Sequence, residues 1–119
     1  MELYQRAGFH RGPFELDKIQ RMYDLSNVVI SAWDGDVLAG VLKGMSDTQA
    51  YCYLGDLAVR KEYQKCGIGK KLIYMSKQMV GEHMRIILSS DMSVLGYYPK
   101  IGMEKREDVY QIRREMKWV

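Results

Sequence analysis

Tyr63-Gln64-Lys65-Cys66-Gly67-Ile68-Gly69-Lys70-Lys71 lies between a strand-like run and a helix-like run. Upstream, residues 51–59 read as an extended segment ending in Leu57-Ala58-Val59. Downstream, Ile68, Leu72, Met75 and Met79 recur at helical spacing. A glycine-bearing turn that opens a helix aims several unpaired backbone N–H groups in one direction. Together with the helix dipole, that geometry holds a phosphate or pyrophosphate. Lys65, Lys70 and Lys71 add positive charge at the same place.

Three kinds of phosphate loop compete for this stretch. A nucleoside-triphosphate loop needs G-x-x-x-x-G-K-[ST]. Gly69-Lys70 could be its G-K pair, but Gln64 stands at the first glycine position and Lys71 at the Ser/Thr position. A dinucleotide fingerprint, G-x-G-x-x-G/A, finds two glycines in Gly67 and Gly69, but Leu72 at the third position. It also lacks the second strand with an acidic end that such a site expects. The third pattern, Q/R-x-x-G-x-G/A, is matched position by position by Gln64, Gly67 and Gly69. The bland alternative is a helix start with two glycines placed for tight packing.

On these residues the chain resembles the GNAT superfamily of acyl-CoA-dependent N-acetyltransferases. In that family this loop cradles the coenzyme A pyrophosphate with backbone amides. The run from Leu57 to Gly69 looks like the family's strand, loop and helix start, apart from Lys61 standing near the usual proline. A second segment, Tyr97-Tyr98-Pro99-Lys100-Ile101-Gly102-Met103, resembles the family's F-Y-x-K-L-G-F. The resemblance covers roughly residues 27–115; the N-terminal part matches less clearly and looks trimmed.

The resemblance implies an α/β fold: a mixed, mostly antiparallel sheet with a central, splayed parallel strand pair and helices on both faces. Pantetheine would lie in the splay like an extra strand. Leu57, Ala58 and Val59 would offer it backbone groups, and an N–H near Leu57 would polarise the thioester carbonyl. Gln64, Lys65, Cys66, Gly67, Ile68, Gly69, Lys70 and Lys71 would hold the pyrophosphate. Ser90 would line the cleft. Tyr98, at the family's tyrosine, would protonate the departing thiolate, since a phenol with a pKa near 10 suits that task; its bland alternative is packing or a hydrogen bond to the coenzyme sulfur. Tyr97, in place of the family's phenylalanine, reads as core packing. Where some members carry a base, this chain has Tyr53. The nearest carboxylate on that strand is Asp56, read as a general-base candidate against a local hydrogen-bonding role.

Composition sets the outer bounds. The 119 residues suffice for one domain, 1–119, with a single core. A hydrophobic fraction of 47% with 28% charged residues fits a globular chain rather than a disordered one. Net charge is only +3 and the basic residues form no long block, which argues against nucleic acid. No apolar stretch is long enough for a membrane span, and Met1-Glu2-Leu3-Tyr4-Gln5 does not read as a signal peptide. Cys52 and Cys66 make no metal spacing, and His10 and His83 read as surface residues, so no metal is expected. A reduced, cytoplasmic setting is the simpler reading of the two cysteines.

Along the chain, residues 13–25 read as a helix, with Phe14, Ile19, Met22 and Tyr23 as inward candidates. Residues 27–33 read as a strand, Asp34-Gly35 as a hairpin turn and 37–45 as a return strand apolar on both faces. Then follow the strand 51–59, the loop, a helix 68–80 capped by Gly81, and a strand 85–90 parallel to 51–59. A short helix 93–100 and a final hairpin of 102–105 with 109–115 complete the order.

Three functions are distinguishable. The first is transfer of an acetyl group from acetyl-CoA to an amine acceptor, a small molecule or a protein. The second is a non-catalytic acyl-CoA-binding regulatory module of the same fold. The third, a lysine-based nucleic-acid binder, predicts steep salt dependence and conflicts with the mild charge. Apolar faces left by a short N-terminus could be covered by a second copy, as a homodimer.

Overall fold

A computed structural model describes residues 16–89, 96–113 and 115. The chain divides into two compact units, Met1–Ser89 and Ser90–Val119.

The first unit contains helix α1 (Leu16–Asp24), strands β1 (Val28–Asp34), β2 (Val37–Ser46) and β3 (Tyr51–Val59), helix α2 (Ile68–Val80) and strand β4 (Arg85–Leu88). The sheet order is β1-β2-β3-β4, antiparallel except for the parallel pair β3–β4. That pair lies at one edge of the described sheet rather than at its centre. The first hairpin turns on Gly35 and Asp36, one residue later than the reading of Asp34-Gly35, since Asp34 still pairs with Val37. Gly35 takes φ +58°, where a side chain would be strained. The second turn is held by Asp47, whose Oδ1 accepts the amides of Gln49, Ala50 and Tyr51 at 2.8–3.1 Å.

Strand alternation assigns the two faces. Val41 and Ala58 pack with Ile19 and Tyr23 of α1. Gly40, which points the other way, lies under α2: a Cβ there would meet Ile68 Cγ2 at 3.3 Å and Leu72 Cδ1 at 3.4 Å. Helices therefore cover both faces of β2, and its unbroken apolar run follows from that. In β1, Val28 is buried and Val29, Ser31 and Trp33 are exposed, as the alternation predicts.

Helix α2 departs from its expected stripe. Leu72, Ile73 and Ser76 are buried, whereas Met75 and Met79 are 43% and 57% exposed. Ser76 can face inward because its hydroxyl donates to the Ile73 carbonyl at 2.6 Å, leaving no unpaired polar atom. Gly81, at φ +109°, caps the helix by donating its N–H to the Lys77 carbonyl.

In the second unit, the described residues hold one short helix, α3 (Tyr97–Lys100). The expected final hairpin is not formed: no described residue from 102 to 113 lies in a strand. Val109, Tyr110 and Ile112 are 60%, 94% and 59% exposed, so no apolar face is buried that would offset strand ordering. Arg106 instead makes a two-pronged ion pair with Asp108 at 2.7–2.8 Å.

A buried ion pair sits inside the first unit. Lys43 and Asp56 oppose each other on the α1 face, with Nζ and Oδ2 3.5 Å apart and side chains only 11% and 2% exposed. Replacing Lys43 by Met is expected to destabilise the fold by about 3 kcal/mol in urea unfolding, because a carboxylate stays buried after its cation is lost. A Lys43→Met/Asp56→Leu double variant, which removes both charges, is expected to recover most of that loss.

Candidate functional site

The parallel ladder between β3 and β4 ends at the pair Leu54↔Leu88. Strand β3 runs on to Val59 without a β4 partner. The break coincides with a bulge: Gly55 is left out of the β2–β3 register, so Gly55 and Asp56 together face Lys43. A Cβ on Gly55 would come within 3.3 Å of Lys43 Nζ, so the bulge and the ion pair are packed against each other. Among the described residues, the β4-side edge of residues 55–59 is therefore open, and an extended ligand could add there as a strand. Leu57, Ala58 and Val59 lie along that edge.

Past Val59 the chain turns tightly. Residues Lys61–Tyr63 form one 3₁₀ turn, closed by Tyr63 N–H to Arg60 carbonyl and Gln64 N–H to Lys61 carbonyl. Three side chains fasten this segment to the sheet. Arg60 Nε donates to the Leu38 carbonyl at 2.8 Å, Gln64 Nε2 to the Val59 carbonyl at 2.9 Å, and Tyr63 Oη to Asp34 Oδ2 at 2.6 Å. Gln64, read as the first fixed position of the loop pattern, therefore acts through the backbone of β3.

Lys65 (φ +67°) and Gly67 (φ +83°) both occupy the left-handed region, two residues apart. Gly67 is the N-cap of α2, and the first helical bond runs from Lys71 N–H to the Gly67 carbonyl at 3.0 Å. The amides of Ile68, Gly69 and Lys70 precede that bond and have no acceptor within the helix. No side chain caps this end, and no acidic residue lies in the first turn. Among the described residues, nothing lies within 4 Å of the Cβ position of Gly67, so its outer side is open there. Lys61, Lys65, Lys70 and Lys71 are exposed around it, Lys70 with its ammonium 5.7 Å from the Tyr74 ring centre. Free amides, an open face and several cations together fit a pyrophosphate.

The remaining expected residues fall as follows. Cys66 is exposed and Cys52 buried; both are free thiols. His83 is exposed. Ser90 and His10 lie outside the described residues. Tyr53, 47% exposed, reaches from β3 to Ser89, Oη to Oγ at 3.4 Å. In the second unit, Tyr98 is half-buried, with its ring edge-on to Tyr97 at 5.2 Å. Tyr97 is itself 38% exposed, so it is not the core residue expected. The anchors Arg60, Tyr63 and Asp34 escaped sequence reasoning, because nothing in the loop pattern marks a contact with a turn 29 residues away.

Burial, and then the neighbouring Tyr97 phenol, push the Tyr98 hydroxyl above the ordinary tyrosine value of 10.0. Tyr63 moves the same way, chiefly through its hydrogen bond to Asp34. A raised native value means that the folded chain holds the proton more tightly than the unfolded one. That contribution to stability is complete below about pH 10 and is lost as pH rises through the native value. Phenolate absorbance during alkaline titration should show steps above pH 10 that Tyr98→Phe and Tyr63→Phe each remove in part.

Comparison with known proteins bears on this site. A sequence profile described as the Acetyltransferase (GNAT) family matches residues 1–103. A GNAT-family acetyltransferase from Streptococcus pneumoniae superposes with a TM-score of 0.75 at 25% identity, over 96% of this chain and 88% of that one. A candidate acetyltransferase from Deinococcus radiodurans gives a TM-score of 0.74 at 25% identity, over 92% of this chain and 79% of that one. A candidate streptothricin acetyltransferase from Bacillus anthracis, in complex with acetyl coenzyme A, gives 0.57 at 26% identity, over 65% of this chain and 47% of that one. No match was found among curated proteins. Among the described residues, no helix is long and apolar enough to cross a membrane.

Proposed function

The chain belongs to the GNAT acetyltransferase family, and from that premise we propose that it transfers an acetyl group from acetyl-CoA to a primary amine of a small molecule or protein by direct attack. The observation that carries the proposal is the loop: unpaired amides at the start of α2, beside an open glycine and exposed lysines, with the unpaired edge of β3 adjoining it. The pyrophosphate goes to the amides of residues 65–70, and pantetheine runs along Leu57, Ala58 and Val59. The acetyl-CoA complex of the Bacillus anthracis protein supports the same donor.

In the proposed reaction the neutral amine attacks the thioester carbonyl, forming the C–N bond. The developing oxyanion takes a backbone N–H near Leu57. The C–S bond then breaks, and the Tyr98 phenol, protonated at neutral pH as phenols are, gives its proton to the thiolate. The amine's proton goes to Asp56 by way of water, because that carboxylate is buried against Lys43. The same burial favours a second reading, an acyl-CoA-binding regulatory module without turnover. Binding of acetyl-CoA with no acetylation of any amine in a screen would select it.

Calorimetry with acetyl-CoA tests the coenzyme site. Gly67→Glu is expected to abolish binding, since it strains φ +83° and places a carboxylate at the amides. Gly67→Asn, which tolerates that backbone, should bind several-fold more weakly. Binding unchanged in Gly67→Glu would overturn the assignment.

Once an acceptor is in hand, Tyr98→Phe is expected to lower kcat roughly 100-fold with little change in the acetyl-CoA KM. Asp56→Asn should lower kcat at neutral pH. A variant that loses only thermal stability would restrict Asp56 to its pairing with Lys43.

A further inference from the structure

The loop that would hold the pyrophosphate contains a backbone conformation that a lysine rarely adopts. Lys65, at φ +67°, is one of two described non-glycine residues with positive φ, and the other, Thr48, lies in a surface turn. Such a conformation costs on the order of 1 kcal/mol and persists only where its surroundings enforce it. On the helical side, Gly67 and the first turn of α2 hold the chain. On the strand side, the two residues before Lys65 each send a side chain back to the sheet: Gln64 to the Val59 carbonyl, and Tyr63 to Asp34.

The Tyr63 contact differs from the others in its reach. Asp34 is the last residue of β1, at the hairpin turn, 29 positions earlier in sequence. The 2.6 Å bond is short and its acceptor is a carboxylate, which places it among the stronger hydrogen bonds. It links the loop to the end of the first strand, far from it in sequence. A cradle of backbone amides binds well only if it is already formed, since ordering it on binding subtracts from affinity.

We propose that the Tyr63–Asp34 hydrogen bond is a strut that pre-forms the coenzyme loop, making Tyr63 and Asp34 positioning residues for the pyrophosphate. The inference rests on the coenzyme reading above. It assigns neither residue a contact with the ligand. The hydroxyl acts through the backbone of residues 64–67, so its loss should weaken only the part of the ligand that those amides hold.

The test is a double-mutant cycle read with two ligands. Coenzyme A affinity is measured by calorimetry for wild type, Tyr63→Phe, Asp34→Ala and the double variant. Binding of acetyl-pantetheine, which lacks the pyrophosphate, is followed by NMR titration in the same four proteins. Each single variant is expected to bind coenzyme A roughly three- to tenfold more weakly, as for one exposed hydrogen bond that water competes with. The double variant should lose no more than either single one. Acetyl-pantetheine affinity should stay within about twofold throughout, and Asp34→Asn, which keeps an acceptor oxygen but not its charge, should bind coenzyme A with an affinity between those of wild type and Asp34→Ala. Additive losses, unchanged coenzyme A affinity, or equal losses for both ligands would overturn the strut. Failure of the folded wild type to bind coenzyme A would overturn the coenzyme reading itself, and this inference with it.

Discussion

Because β4 runs parallel to β3, the chain must cross the sheet between Val59 and Arg85, and it does so as helix α2. That requirement brings the start of α2 next to the end of β3, with only eight residues between them. The dipole and unpaired amides of a helix start thus arrive beside a strand edge that, among the described residues, β4 no longer pairs. Were β4 antiparallel to β3, a short hairpin would suffice and no helix N-terminus would face the edge. The loop, the edge and the cations around them all depend on this one crossover.

Close packing of that helix follows from a missing side chain. Gly40 lets Ile68 and Leu72 approach β2 to within contact distance of where a Cβ would stand. The opposite face of the same strand carries Val41, packed under α1. Strand β2 is therefore the internal layer against which both helices are seated. The bulge at Gly55 adds a second local device: it spends one residue of β3 to bring Asp56 against Lys43 at the point where the strands part. A buried ion pair contributes little net stability against an apolar substitute, so its value here lies in fixing geometry at the mouth of the opening.

The three anchors show how a loop whose proposed ligand groups are backbone amides is kept in shape. Arg60, Tyr63 and Gln64 each bond to a different part of the sheet: the start of β2, the turn after β1 and the end of β3. Their targets are two carbonyls and one carboxylate. Amides have no freedom of their own, so their aim is set by such attachments. On this account the fixed glutamine of the loop pattern is a fastening, and the glycines are the places where the backbone turns.

How much was legible in the sequence follows from the range of the forces concerned. Period-two alternation placed β1, an extended run placed β3, the glycine pair placed the loop, and the run to Gly81 placed α2, all from interactions within a few residues. The stripe of α2 was misread because methionines at 75 and 79 are hydrophobic without being buried, while Ser76 hides its hydroxyl within its own helix. The final hairpin was misread because Val109, Tyr110 and Ile112 have strand propensity but are left exposed. Sequence by itself determined the fold family and the loop, since their signals are local spacings of glycine and apolar residues. Only tertiary structure decided that Asp56 is paired with Lys43, that Tyr63 reaches Asp34, and that the β3–β4 ladder stops at Leu54. Those contacts join residues distant in sequence, and no local periodicity encodes which distant group a side chain will meet.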